Sequence, residues 1–387
     1  MKLASIAAQI DGQPMFKILE HAQQLEREGH DVIHFELGEP DFETPPHIVD
    51  GCIKALHLGN THYAPASGIY PFKNSVANAT ERSRGFKPGL DQILVTPGAN
   101  SVIYLALKCT LDPGDEVLIP DPGFPTYTTA ILACSGNPVC VPLSAQSGFC
   151  MDACSVRSRV TEKTKAIILN SPSNPTGGLT KREDIQEIYQ IAKEYDLLLI
   201  SDEIYSRMVF DDHEFFSPSM LDNAAERVLV LNGFSKAFAM TGWRLGVAIG
   251  PTQLIKKMTL LTSTIVSCVP PFIQAAGIAA IEGPQDVASD MLEQYRQRSK
   301  ILVEGLNLIP GIRCNMPAGA IYVFANISET GMTSVEFADD LLRSAKIAVT
   351  PGIFFGQQGE GYVRFSVVTS LERIQEAINR MRMRFHA

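Results

Sequence analysis

The side chains best suited to chemistry stand where short apolar runs end. "VLVLNGFSK" runs into Ser235 and Lys236, and "AFAMTGWRLG" brings Arg244 about two helical turns later, beside Trp243, the one tryptophan. "LLLISDEIYS" ends in Asp202, with Tyr205 following. "AIILNSPSNPTGG" ends in a turn holding Asn174, and "ILVTPGANS" in Gly98, Ala99 and Asn100. A lysine in apolar company is desolvated, which disfavours its charge and leaves a nucleophilic amine. Amides at a helix start after Gly98 would cradle a phosphate, and an arginine fork would meet an anion. Singly, each has a plain structural reading: a cap for Asp202, a turn for Asn174, an ion pair for Arg244, a solvated charge for Lys236. Their joint occurrence at successive run ends points to one site instead. No Walker-type glycine loop is present, which excludes a nucleotide triphosphatase of that kind.

The elements that must position these residues follow from the same runs. "ILVT" (93–96), "EVLIP" (116–120), "AIILN" (166–170), "LLLIS" (197–201), "VLVLN" (228–232) and "GVAIG" (246–250) recur with helical segments between most of them. Continuous apolar strands alternating with helices predict a mostly parallel sheet covered on both faces. Ligands of such sheets gather at the carboxyl ends of the strands. Upstream, "FKILEHAQQLEREG" predicts an amphipathic helix with Phe16, Leu19, Ala22 and Leu25 on one face and Gly29 at its stop. "DVIHFELGEPDF" predicts a short strand entering a Gly/Pro loop. Past residue 285 the pattern changes to a long helix over "QDVASDMLEQYRQRSKILVEGL", then strand-like "AIYVFANI" and "GYVRFSVV". The expected division is an N-terminal segment (1–50) packing with a small α+β domain (285–387), and a large domain (51–284) between them.

Composition narrows the function. A chain of 387 residues can fill two domains. A net charge of -9 without a basic block argues against nucleic acid. No apolar run is long enough to span a bilayer, and the weak apolar stretch at the start ends at Asp11, unlike a signal peptide. Eight cysteines without a CxxC, Cys150 and Cys154 being the closest pair, predict reduced, buried thiols of a cytoplasmic protein. His30 and His34 are spaced for a metal on a helix but lie in a β-rich stretch, so no metal site is expected.

The blocks "HFELGEPDFETPPHI", "THYAPASGIYPFKNSVA", "VTPGAN", "DPGFPTY", "NSPSNPTGG", "SDEIY", "NGFSKAFAMTGWRLG", "PAGAIYVF" and "GYVRFSVVTS" follow one another nearly end to end. In that order they resemble the class I/II aminotransferases, pyridoxal-phosphate enzymes of fold type I. The resemblance implies an α/β fold with a mostly parallel seven-stranded sheet between helices, a smaller α+β domain, and a homodimer with shared active sites. It implies that Lys236 forms the Schiff base with pyridoxal 5'-phosphate and that Asp202 bonds the pyridine nitrogen. Asn174 and Tyr205 would donate to the phenolic oxygen, and Phe124 would stack on the ring. Arg244, Ser235 and the backbone at Gly98, Ala99 and Asn100 would hold the phosphate, and Tyr63 would reach the phosphate of the neighbouring subunit. Gly233 stands where some branches carry a hydroxyl, which removes one phosphate contact. Arg364 matches the arginine that binds the substrate α-carboxylate, and Gly38 lies in the loop that closes over the substrate.

The reaction implied is amino transfer from an L-amino acid to a 2-oxo acid. Lyases, cyclases and oxidases on this scaffold keep the same cofactor residues and remain the alternative. A binding protein that has lost its chemistry fits poorly with intact Lys236, Asp202, Arg244 and Arg364. Some aspartate-using relatives carry a lysine where this chain has Asn100. Its absence implies a donor with a neutral or aromatic side chain, or a broad range.

Overall fold

The structure is a computed structural model that describes residues 1, 3–8, 10, 12–210 and 213–385. In chain order its strands are β1 (Ile33–His34), β2 (Ile93–Pro97), β3 (Glu116–Asp121), β4 (Asn137–Pro142), β5 (Thr164–Asn170), β6 (Leu198–Asp202), β7 (Val228–Gly233), β8 (Leu245–Ile249), β9 (Tyr322–Asn326), β10 (Ile347–Ala348), β11 (Thr350–Pro351) and β12 (Tyr362–Ser366). The main sheet has seven strands in the order β2-β8-β7-β6-β5-β3-β4. Only β8 runs against its neighbours β2 and β7; the other pairs are parallel.

The apolar runs are continuous because both faces of this sheet are covered. Along β7, Val228 and Val230 enter one core while Leu229 and Leu231 enter the other. The first face packs on helices Arg182–Glu194 and Pro271–Glu282, the second on Asn100–Thr110 and Thr252–Val266. The apolar pattern did not reveal β4. It is an edge strand with an exposed Asn137 and prolines at 138 and 142, and an edge tolerates proline because one side needs no ladder bonds.

A three-stranded antiparallel sheet, β11-β12-β9, packs against helices Asp286–Leu306 and Leu371–Phe385. The N-terminal segment joins it: β1 pairs with β10, Ile33 and Phe35 enter the same core, and Asp31 bridges to Arg373 and Arg380. By contrast, helix Pro46–His57 packs on Pro271–Glu282 beneath the main sheet. The chain therefore crosses from one sheet to the other between Phe35 and Pro46, and Gly38 lies on that crossing.

Some expectations are corrected. Within helix Met15–Arg27 the buried residues are Met15 and Ala22, whereas Phe16 is exposed at the mouth of a cavity. Residues 234–244 form successive turns, so no helix carries Lys236 to Arg244. Left-handed backbone at Ala239 (φ 50°) and Arg244 (φ 53°) interrupts a right-handed helix there. All eight cysteines are free, but only Cys134 is buried, and Cys140 and Cys154 are exposed on edge strand β4 and short helix Ala153–Arg157. His34 lies between Glu36 (2.8 Å) and Glu26 (3.1 Å); its hydrogen bond to Glu36, against the effect of burial, raises its pKa to about 9. Among the described residues no helix is long and apolar enough to cross a membrane.

Candidate active site

The site forms at the carboxyl edge of the main sheet. Asn170 and Asp202, the last residues of β5 and β6, are register partners. Because β8 is antiparallel, it starts at this same edge, with Arg244 immediately before it. The crossing segment adds Gly38 and β12 adds Arg364, and together these elements wall a cavity of about 290 Å³. Ala99, Asn100, Phe124, Asn174, Tyr205, Ser235 and Lys236 also line it.

Gly98 acts from behind this wall. Its φ of +82° is left-handed, and an added Cβ would overlap the Arg244 guanidinium, so glycine lets the arginine lie against the turn that opens helix Asn100–Thr110. The first amides of that helix have no partners within it. Arg244 donates to the Thr241 carbonyl at 2.9 Å and has no carboxylate partner among the described residues. An arginine beside a helix start is a cradle for an anion. Gly233 ends β7 outside the cavity lining. Tyr63 does not line this cavity and is 89% exposed.

Three charged groups in the cavity form no ion pair among the described residues. Lys236 donates from Nζ to the Gly38 carbonyl at 2.5 Å. Burial, then the positive charges of Arg364 and Arg244, lower its pKa to about 8, against the pull of Glu39. Asp202 is buried and accepts from the Tyr127 hydroxyl (2.6 Å) and the Ile204 amide (3.3 Å). Burial raises its pKa to about 6, and those two hydrogen bonds oppose the rise. Arg364 is 2% exposed and donates to Asn174 Oδ1 (2.9 Å) and the Glu36 carbonyl (2.6 Å). It lies between the rings of Tyr322 (4.5 Å) and Phe355 (4.8 Å), and its Nε has no partner. A buried guanidinium with neutral acceptors alone is short of an anion.

Sequence reasoning missed Tyr127 and Tyr322, although both stand within the blocks "DPGFPTY" and "PAGAIYVF". Tyr127 holds Asp202, and its ring meets Phe124 edge-on at 5.7 Å. The Tyr322 hydroxyl is 2.6 Å from that of Tyr205. Also missed were Gln13, Met15, Phe16 and Leu37, which line the cavity from the N-terminal segment. Nothing in their spacing signals this, since folding alone brings that segment over the sheet edge.

Comparison with known proteins agrees with this geometry. Residues 30–381 match the family model for aminotransferase class I and II. The chain is 41% identical over 354 residues to an aspartate aminotransferase of Pyrococcus abyssi, covering 91% of each protein. It is 37% identical to aromatic-amino-acid aminotransferase 2 of Thermococcus litoralis, covering 98% of this chain and 97% of that one. The crystal structure of an aromatic aminotransferase from Pyrococcus horikoshii superposes with a TM-score of 0.90 at 37% identity, over 96% of this chain and 98% of that one. A part-neutral lysine, a buried acid without a cation and an arginine short of an anion are thus set in a fold shared end to end with these enzymes, and the chain belongs to the class I and II aminotransferases as a pyridoxal-phosphate-dependent enzyme.

Proposed function

We propose that the cavity binds pyridoxal phosphate through the residues described above and transfers the amino group of a neutral or aromatic L-amino acid to a 2-oxo acid. The residues fit the cofactor. Arg244, Ser235 and the helix start at Ala99 and Asn100 would hold the phosphate, and Phe124 would lie against the ring. Asp202 would gain the cation it lacks from a protonated ring nitrogen, and Asn174 and Tyr205 would donate to the phenolic oxygen. Bound pyridoxal phosphate supplies an aldehyde carbon for amines and a cationic ring that withdraws electrons from Cα.

Lys236 would hold the cofactor through its amine, and the donor's amine would take that place. Once freed, its amine would be placed to take and return the proton at the donor's Cα, a role that its lowered pKa of about 8 suits. Arg364 binds the α-carboxylate with both arms of its fork, aligning the Cα–H bond with Lys236. The single observation that carries the reading is Lys236, with its lowered pKa, sharing a cavity with Asp202 and the anion-short Arg364.

The names of the relatives divide between aspartate and aromatic amino acids. The cavity favours the second group. Among the described residues its basic side chains are Lys236, Arg244 and Arg364, and each already has a role. Gln13, Met15, Phe16, Leu37, Glu39 and the Asn100 side chain remain for the donor side chain, and a buried carboxylate among them would lack a cationic partner.

The same reading includes a cytoplasmic homodimer. Tyr63, Leu58, Tyr70, Leu260 and Ile265 are 58–89% exposed, apolar surface that a partner copy would cover. The partner's copy of Tyr63 would then complete the phosphate site. The chain divides into the large domain 51–284 and the small domain 285–387, with residues 1–50 assigned to the latter except for the start of helix Pro46–His57, which packs on the large domain. A screen of amino donors against several 2-oxo acids, followed by cofactor absorbance, tests the proposal. Phenylalanine, leucine or alanine should outperform aspartate and glutamate. A wide preference for either acidic donor would overturn the donor assignment.

A further inference from the structure

Tyr322 has no assigned role, yet it touches three parts of the site. It projects from β9, in the three-stranded sheet, and is buried. Its ring lies 4.5 Å from the Arg364 guanidinium. Its hydroxyl is 2.6 Å from that of Tyr205, which follows β6 of the main sheet. An added Cβ on Gly38 would overlap the same hydroxyl, so it also packs against the residue whose carbonyl receives Lys236.

The direction of the Tyr205–Tyr322 bond follows from counting protons. A phenol has one O–H to give. If Tyr205 gives its proton to the cofactor's phenolic oxygen, as proposed above, it can only accept from Tyr322. Burial makes both phenols reluctant to ionise, but Arg364 opposes this more directly at Tyr322, over whose ring it lies. That makes Tyr322 the stronger donor of the two. We infer that Tyr322 is a positioning residue which, biased by Arg364, donates to Tyr205 and strengthens the hydrogen bond from Tyr205 to the cofactor. This inference rests on the Tyr205 assignment. Hydrogen bonds in such a chain polarise one another, so each donor strengthens the next.

The test is the pH midpoint of the visible absorbance band of the loaded protein, which reports the proton held near the phenolic oxygen. Tyr322→Phe keeps the ring over Arg364 and removes only the hydroxyl. Tyr205 then binds the oxygen less strongly, the nearby proton is held more tightly, and the midpoint should rise by about half to one pH unit. Replacing Tyr322 with 3-fluorotyrosine keeps its shape and makes a stronger donor, so the midpoint should fall. A purely structural role would not produce shifts of opposite sign. Both effects should vanish in a Tyr205→Phe background. If Tyr205→Phe alone leaves the midpoint unmoved, the Tyr205 assignment fails and this inference fails with it. If Tyr205→Phe moves the midpoint but neither change at Tyr322 does, or if those changes act equally without the Tyr205 hydroxyl, the inference alone is overturned.

Discussion

Two charged regions of this molecule are built in opposite ways. Where the N-terminal segment meets helix Leu371–Phe385, Asp31 receives Arg373 at 2.7 Å and Arg380 at 2.5 Å. Hydrogen bonds from both arginines hold its carboxyl well below the usual range. At the carboxyl edge of the main sheet, Asp202 has a phenol and an amide for partners, and Arg364 has amide and carbonyl oxygens. Asp31 in the first region is exposed, and with Glu376, which accepts from Arg380, the charges there balance. The second is buried, and its charges wait for a ligand. Elsewhere the protein does pair buried charges, as Arg84 and Glu203 show. Lys73 and Asp121 are also buried without an ion pair among the described residues, but around the cavity unpaired groups of both signs share one lining, as groups that a bound molecule would neutralise.

The largest effect that probes this contrast is expected from Lys236→Ala. Turnover should fall by roughly four orders of magnitude or more, while pyridoxal phosphate still binds noncovalently through the phosphate and ring contacts. Borohydride reduction followed by mass spectrometry should place the cofactor adduct on Lys236 in the native protein. An adduct on another lysine would remove it from its role.

Asp202→Asn should slow the amino-donor half-reaction about a hundredfold or more, because an amide cannot hold a proton on the ring nitrogen. The same change should stabilise the apoprotein. Burial raises the folded pKa of Asp202 from 3.8 to about 6, so the folded state binds this proton more tightly than the unfolded chain does. Stability is then fullest at acid pH, declines as pH rises through about 6, and stays low above it. Asp202→Asn should therefore raise the apoprotein's unfolding free energy by about 1–3 kcal/mol at pH 8 and by about half as much at pH 5. Denaturant titrations at the two pH values would show it, and equal effects would mean that Asp202 is not short of a cation.

Arg364→Lys should lower kcat/KM about a hundredfold for every donor alike, since all carry the α-carboxylate and lysine cannot form a fork. Asn100→Lys should instead favour acidic donors selectively. Steady-state kinetics with phenylalanine, leucine and aspartate would separate the two patterns.

The smallest effect belongs to the paired region. Asp31→Asn should cost about 1 kcal/mol or less, because Asp31 is 62% exposed and water already screens its bridges. Activity should not change. A large loss of turnover would show that the junction does more than join elements.

What was legible in the chain was the local chemistry. The apolar runs of β5, β6 and β7 had to be strands buried on both faces, and Asp202 and Lys236 had to fall near their ends, because these facts depend on neighbours along the sequence. The resemblance of whole blocks added the cofactor and the identity of Arg364. Other features depended on distance in space. The antiparallel setting of β8, which brings Arg244 to the site, is a matter of pairing rather than pattern. The hydrogen bonds from Tyr127 to Asp202 and between Tyr205 and Tyr322 join residues 75 and 117 positions apart. The mild pKa of Lys236 needed the burial and the cationic neighbours that only packing supplies. Sequence determined which groups could carry charge, and tertiary structure decided which of those charges would be left without a partner.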